Sequence, residues 1–318
     1  MNEDCLKLTA YFGERDRVAG RFLADALIDI YARHELQTSL VLRGVEGFGA
    51  KQHERTDRLL SLSEDLPLAA VAVDTRERIE AAHTEVAAIG FDGLVTLELC
   101  ELFEFHGALA RLEPSEELGL KLTVYLGRRA EPGYRAVVAL LHAHGVEGAT
   151  VLLGVDGTVH GTRARATFFG RNEDVPVMII AVGDGARIAS VLPALGDMLE
   201  RPLVTLERVQ ICKRDGVRLA APEGRNKLMV YGGAPLAGEL VRRLRHAGAA
   251  GATSLRGIWG YHGEHAPHGD TRWQLRRHVP VVTVLVDTPE RTARWFAIVD
   301  ELTAETGLVT SEIVPSAV

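Results

Sequence analysis

One heptapeptide is written three times in this chain. Lys7-Leu8-Thr9-Ala10-Tyr11-Phe12-Gly13 returns as Lys121-Leu122-Thr123-Val124-Tyr125-Leu126-Gly127, and again as Lys227-Leu228-Met229-Val230-Tyr231-Gly232-Gly233. The period, about 110 residues, is too long for a solenoid unit of ~20–50 residues and fits a small domain. Later landmarks keep the same order. Arg43-Gly44-Val45-Glu46-Gly47 is answered by Leu153-Gly154-Val155-Asp156-Gly157 and Arg256-Gly257-Ile258-Trp259-Gly260. Leu94-Val95-Thr96-Leu97-Glu98 is answered by Leu203-Val204-Thr205-Leu206-Glu207 and Leu308-Val309-Thr310-Ser311-Glu312. The chain is a tandem triplication, which outranks the soft domain count that 318 residues alone would suggest.

Within repeat 1, Leu6–Phe12 alternates like a strand, and Val18–His34 carries apolar residues at helical spacing. Thr38–Arg43 and Leu66–Val73 read as two further strands with a long polar loop between them. Thr75 opens a second helix that Gly90 to Gly93 ends, and Leu94–Phe105 is a final strand. The first helices of the other repeats are placed at Tyr134–His144 and Gly238–Ala247, and Glu14, Asp16 and Arg17 at the start of the first helix of repeat 1. The order βαββαβ is that of a ferredoxin-like α+β unit. Residues 1–107, 120–213 and 226–318 form the repeats, and the polar stretches 108–119 and 214–225 link them.

Composition excludes several classes. Hydrophobic residues at 47% and charged residues at 25% describe an ordinary globular chain. A net charge of −7 argues against a general nucleic-acid binder. No apolar run suits a membrane span and Met1-Asn2-Glu3-Asp4 lacks a basic leader, so a cytoplasmic protein is expected. Cys5, Cys100 and Cys212 include no C-x-x-C pair and read as buried structural thiols. Walker A, G-x-S-x-G, H-E-x-x-H and strand-to-helix G-x-G-x-x-G signatures are missing, and the expectation is a protein that is not an enzyme.

Two constellations are candidates for binding. Gly47-Phe48-Gly49 and Gly260-Tyr261-His262-Gly263 can present backbone N–H groups to an anion, with Arg43 and Arg256 supplying charge just before the turn. Glycine also simply permits a sharp strand exit. Arg17 is a further candidate for an inter-repeat cleft. The second constellation is the third loop, where His262, His265, His268 and Asp270 offer imidazole and carboxylate ligands to a divalent metal. Polar loop structure is the competing reading there, as it is for His53, Asp57 and His160.

The run Thr38 to Gly49, with its Gly-Phe-Gly turn, then His53, Leu66-Pro67 and an apolar strand, resembles the PII signalling proteins. Leu8-Thr9-x-Tyr11-x-Gly13-Glu14-x-Asp16-Arg17, that turn, and Asp65-Leu66-Pro67 together resemble the PII-like family of unknown function more closely, once per repeat. The resemblance implies three ferredoxin-like PII-like domains closing as an intramolecular pseudo-trimer, monomeric as a chain. It implies a small anionic effector, such as an adenine nucleotide, between repeats, and a protein partner on the loops Glu46–Asp65, Asp156–Asp174 and Trp259–His278. The sequence departs from PII at the turn before each final strand. Gly90-Phe91-Asp92-Gly93, Leu199-Glu200-Arg201-Pro202 and Glu305-Thr306-Gly307 hold no lysine for a phosphate. A metal-binding protein centred on the histidine loop and a scaffold without small ligand are the alternatives.

Overall fold

A computed structural model describes residues 4–49, 55–56, 65–103, 117–159, 162–165, 175–200, 203–263, 265–269 and 279–317. Repeat 1 runs strand Asp4–Gly13, helix α1 (Leu23–Arg33), strand Thr38–Phe48, strand Pro67–Thr75, helix α2 (Arg76–Ile89) and strand Leu94–Leu102. Repeat 2 follows with Leu118–Gly127, α3 (Tyr134–Ala143), Gly148–Val159, Pro176–Asp184, α4 (Gly185–Met198) and Leu203–Arg214. Repeat 3 has Lys227–Gly232, α5 (Ala234–His246), Ala252–Arg256 continued by Trp259–His262, Val281–Val286, α6 (Pro289–Leu302) and Leu308–Glu312. These are called the first, second, third and last strands of each repeat. No helix among the described residues is long and apolar enough to cross a membrane.

The strands are buried on both faces, which is why they read as near-continuous apolar runs. In the third strand of repeat 1, Leu68, Ala70 and Ala72 pack under α1 and α2 with Leu27, Ile79 and Val86. The alternate residues Ala69, Val71 and Val73 face the other way, into a core shared with Met178, Ile180, Tyr231 and Val284 of the other repeats. Each repeat thus has its own helix-side core, and all three meet in a common one.

Strand pairing crosses the repeat boundaries in two directions. Thr38–Leu42 of repeat 1 pairs with repeat 2 at Val159–Gly154, while Gly44–Phe48 pairs with Leu255–Ala252 of repeat 3, and Trp259–His262 pairs with Val151–Gly148 of repeat 2. Among the last strands, Leu102 of repeat 1 meets Thr205 of repeat 2, Gln210–Arg214 of repeat 2 meets repeat 3, and Ser316–Ala317 of repeat 3 meets repeat 1. Edges that would be open in a lone repeat are closed by its neighbours.

Two local expectations are corrected. The first helix of repeat 1 starts at Leu23 rather than Val18, because Arg17–Val18 and Arg21–Phe22 form a small hairpin whose turn holds Ala19 and Gly20 at positive φ. Asp16 accordingly accepts from Gly13 N at 2.6 Å and Glu14 pairs with Arg43 at 2.8 Å, neither capping a helix. The second strand runs on through its glycines to Phe48 instead of ending at Arg43, since the neighbouring repeat continues its hydrogen-bond ladder.

Six ionised side chains occupy the centre. Lys7 Nζ lies 2.8 Å from Glu98 of its own repeat and 2.6 Å from Glu207 of repeat 2. Lys121 lies 2.9 Å from Glu207 and 2.7 Å from Glu312 of repeat 3, and Lys227 lies 3.1 Å from Glu312 and 2.6 Å from Glu98 of repeat 1. The signs alternate around a closed, neutral ring with side chains only 2–6% exposed. Each lysine faces its own glutamate directly across the ladder, and its second carboxylate belongs to the next repeat. Four residues beyond the lysines on the same strand faces, Tyr11, Tyr125 and Tyr231 pack in the same core. Burial pushes the Tyr11 hydroxyl up to about 12.

Burial opposes the charges of Lys7, Glu98, Lys121, Lys227 and Glu312, and at four of these positions the partners outweigh it. The Glu207 and Glu98 carboxylates hold Lys7 well above its ordinary value of 10.5, and Lys227 is raised by Glu312 and Glu98. The lysines draw Glu98 well below 4.5 and Glu312 to about 2. At Lys121 burial prevails and the pKa falls, which makes it the lysine with the weakest hold on its proton.

Removing one member of a buried ion cluster leaves an uncompensated charge, at a cost of about 3–5 kcal/mol. Glu98→Gln is expected to lower unfolding free energy by that amount in urea titration at pH 7; a loss below about 1 kcal/mol would show that the ring is not one closed buried unit. Carboxyl groups with depressed pKa stabilise the fold above the unfolded value of 4.5, and that contribution disappears as pH falls toward 2. The melting-temperature gap between wild type and Glu98→Gln is therefore expected to narrow progressively below pH 4.5, and a gap unchanged down to pH 2.5 would contradict it.

Candidate functional site

The crossing strands leave clefts between repeats, and two of them are built from corresponding residues. Tyr11, Phe48, Gly49, Pro67 and Leu94 of repeat 1 face Gly251–Thr253 and Val284 of repeat 3 around a cleft of about 240 Å³. Tyr231, Tyr261, His262, Pro280 and Leu308 of repeat 3 face Gly148–Thr150 and Val182 of repeat 2 around one of about 950 Å³. The turn before the last strand enters each cleft, as Asp92-Gly93 in the first and Glu305-Thr306 in the second. One architecture is thus repeated with different side chains. The smaller cleft is lined mostly by aromatic and aliphatic side chains, and the larger also by the titratable residues His262, His265, His268, Asp215 and Glu305.

The walls are fixed by aromatic side chains that each repeat lends to the next. Phe48 of repeat 1 is buried in the helix-side core of repeat 3 with Leu240, Leu244 and Trp295. Tyr261 of repeat 3 is buried in the core of repeat 2, donates its hydroxyl to Val146 O at 2.9 Å and packs edge-on to His142 at 4.8 Å. The residue before each is a glycine pressed on the neighbour's backbone. A Cβ at Gly260 would lie 2.2 Å from Ala149 O and one at Gly47 2.5 Å from Ala252 O. Gly157 of repeat 2 meets repeat 1 in the same way, 2.2 Å from Ser39 O.

In the larger cleft His262 Nε2 lies 2.7 Å from Asp215 Oδ1, and His268 Nδ1 lies 3.0 Å from Ala266 O. His265 lines the same wall and is exposed. Gly232 and Gly233 open onto the cleft just before α5, whose first turn carries no acidic residue and has Pro235, which lacks an N–H, at its second position. The junction of repeats 2 and 1 is instead crossed by ion pairs. Arg163 reaches Asp29 at 2.9 Å and Asp156 at 2.8 Å, and Arg165 reaches Asp25 at 2.9 Å.

The expected binding residues divide. Phe48 and Gly49 line the smaller cleft, and Gly263, His262, His265 and His268 the larger. Gly47 and Gly260 sit behind the walls against the neighbouring repeat. Arg43, paired with Glu14, and Arg256 are not among the lining residues of either cleft, and Arg17 lies in the hairpin, donating to Gly20 O at 3.0 Å and stacked 3.9 Å over Phe22. His53, Asp57, His160 and Asp270 fall outside the described residues, as do most positions of the three long loops. Among the described residues the cluster with ligating atoms close enough for one metal ion is Glu98, Glu207 and Glu312, each of which already has an oxygen engaged by two of the three lysines. His262, His265 and His268 share a wall without converging in that way.

Sequence reasoning passed over Tyr11, Tyr231 and the ring. The signal was present: a lysine opens every copy of the heptapeptide and a glutamate closes every Leu-Val-Thr-x-Glu run. The two halves lie at opposite ends of a repeat, and only strand pairing brings them together.

The two glycine environments give opposite expectations. A Cβ at Gly49 meets nothing within 4 Å, so Gly49→Ala should change stability by no more than about 0.5 kcal/mol. Gly260 has φ +154° besides its close contact, and Gly260→Ala should cost about 2–4 kcal/mol in urea titration. Equal effects of the two would refute the packed inter-repeat wall.

A solved structure described as "Crystal structure of putative glycine cleavage system transcriptional repressor" shares 10% identity over 65% of this chain and 98% of its own, at a TM-score of 0.20, a likeness too slight to bear on fold or function. The DUF190 family model, described as "Uncharacterized ACR", matches residues 5–102, 119–211 and 226–316. With nearly the whole length covered, once per repeat, the chain belongs to the DUF190 family.

Proposed function

We propose that this protein is a non-catalytic, PII-like regulator of the cytoplasm, in which three ferredoxin-like repeats form an intramolecular pseudo-trimer and a small anionic effector binds in the clefts between them. The observation that carries the reading is the repetition of one cleft: Tyr11 and Tyr231, Phe48 and Tyr261, Pro67 and Pro280, and Leu94 and Leu308 hold corresponding places at two different junctions. Concave sites with apolar walls and few polar groups suit small molecules.

In the larger cleft the imidazoles of His262, His265 and His268 line one wall and can donate to an anionic group. Glu305 of the same lining can accept from a hydroxyl or amino group, and Asp215 holds His262 at 2.7 Å. An adenine nucleotide combines these features. The second strands continue from the cleft walls toward the long loops, so an occupied cleft would bias loop conformation and thereby a protein partner's access, without covalent chemistry.

Thermal shift of metal-stripped protein against ATP, ADP, AMP and zinc chloride tests this, because a ligand of the folded state raises its melting temperature. A nucleotide-dependent rise that is lost when His265→Trp obstructs the larger cleft is the expected result. No rise with any nucleotide would sink the effector reading. A rise with zinc alone, abolished by His265→Ala, would transfer the site to metal, since all three histidines line that one cleft.

A further inference from the structure

The two cysteines of repeat 1 stand opposite each other. Cys5, second residue of the first strand, is the direct register partner of Cys100 near the end of the last strand, and their Sγ atoms lie 3.2 Å apart. Directly paired residues of antiparallel strands have Cα atoms about 4.5–5.5 Å apart, inside the ~4.4–6.8 Å span that a disulfide bridges. A small side-chain rotation is then all that separates two thiols from a bond. The two sulfurs are not bonded to each other.

We propose that Cys5 and Cys100 are a modification site, a thiol pair that a peroxide converts to an intramolecular disulfide bracing the central charge ring. One thiolate attacks a peroxide oxygen and releases water after protonation, leaving a sulfenic acid. The second thiol displaces water from that sulfur. Two thiols and one hydrogen peroxide give one disulfide and two waters, the cysteines losing two electrons and the peroxide gaining them.

Position adds two arguments. The pair lies at the outer end of its ladder, with only Asp4 opposite Glu101 beyond it, so fraying of one strand end admits a small oxidant to side chains that are 2% and 6% exposed. Cys5 precedes Lys7 by two residues and Cys100 follows Glu98 by two, on the same strand faces, so the bond would fasten the two strands that carry repeat 1's share of the ring. The site is peculiar to repeat 1. Corresponding positions are Gly119 and Val209 in repeat 2, and Arg225 and Val314 in repeat 3. The hydrogen bond with Cys5, with burial, holds Cys100 well above the ordinary thiol range, so the reaction is slow compared with that of an exposed thiolate.

The test treats the full chain with hydrogen peroxide and maps peptides without reduction. The expected product joins the peptide containing Cys5 to that containing Cys100 with the loss of two hydrogens, and the protein melts several degrees higher until dithiothreitol reverses both changes. Cys212→Ser should behave as wild type, and Cys5→Ser should lose the linkage and the shift. Cys212, which donates to Ser311 Oγ at 3.1 Å, reports whether oxidant has reached buried thiols. Oxidation of Cys212 without the Cys5 to Cys100 linkage, or conversion of Cys5 and Cys100 to separate sulfinic acids, would overturn the proposal.

Discussion

Everything else in this structure is arranged around one neutral ring of three lysines and three glutamates. A single Lys–Glu pair buried in an apolar core loses more in desolvation than attraction usually returns. Alternation changes the balance, because each charge has two opposite neighbours at 2.6–3.1 Å instead of one. That second neighbour always comes from another repeat. The polar centre therefore specifies which repeats meet and in what order, a task for which interchangeable apolar contacts are poorly suited.

Around the ring the repeats exchange structure in both directions. Second strands deliver Phe48 into repeat 3 and Tyr261 into repeat 2, while the ends of the last strands reach from repeat 1 to 2, from 2 to 3 and from 3 to 1. No repeat completes its own core, so stability and the clefts share a cause. The aromatic residues that close a neighbour's core also wall the space between repeats.

Much of this was legible in the residues. The triplicated heptapeptide located three first strands, and Thr75 and Gly90 bracketed α2 as expected, Gly90 adopting the left-handed cap. The start of α1 was misplaced because Val18 and Phe22 fall at helical spacing, although Ala19 and Gly20 turn a hairpin there. Gly47 and Gly260 suggested anion-binding turns, whereas the structure sets them where a neighbouring strand leaves no room for a Cβ. Periodicity describes a chain folding on itself, and close approach to a second repeat leaves no periodic trace. For the same reason the pairing of Lys7 with Glu98 leaves no mark in the sequence beyond the repetition of the two motifs that carry them. Phe48 and Gly49, expected to bind an anion, line a cleft that Tyr11 and the Asp92-Gly93 turn join only in three dimensions.

Covalent fusion frees the three junctions from symmetry. In an assembly of identical subunits every substitution appears at all interfaces together, so a histidine gained by one cleft is gained by all. Here His262 and His265 belong to one junction, Phe48 and Gly49 to a second, and the Arg163 to Asp29 ion pair to a third. The centre can stay threefold while its periphery diverges, giving one polypeptide three independently adjustable junctions.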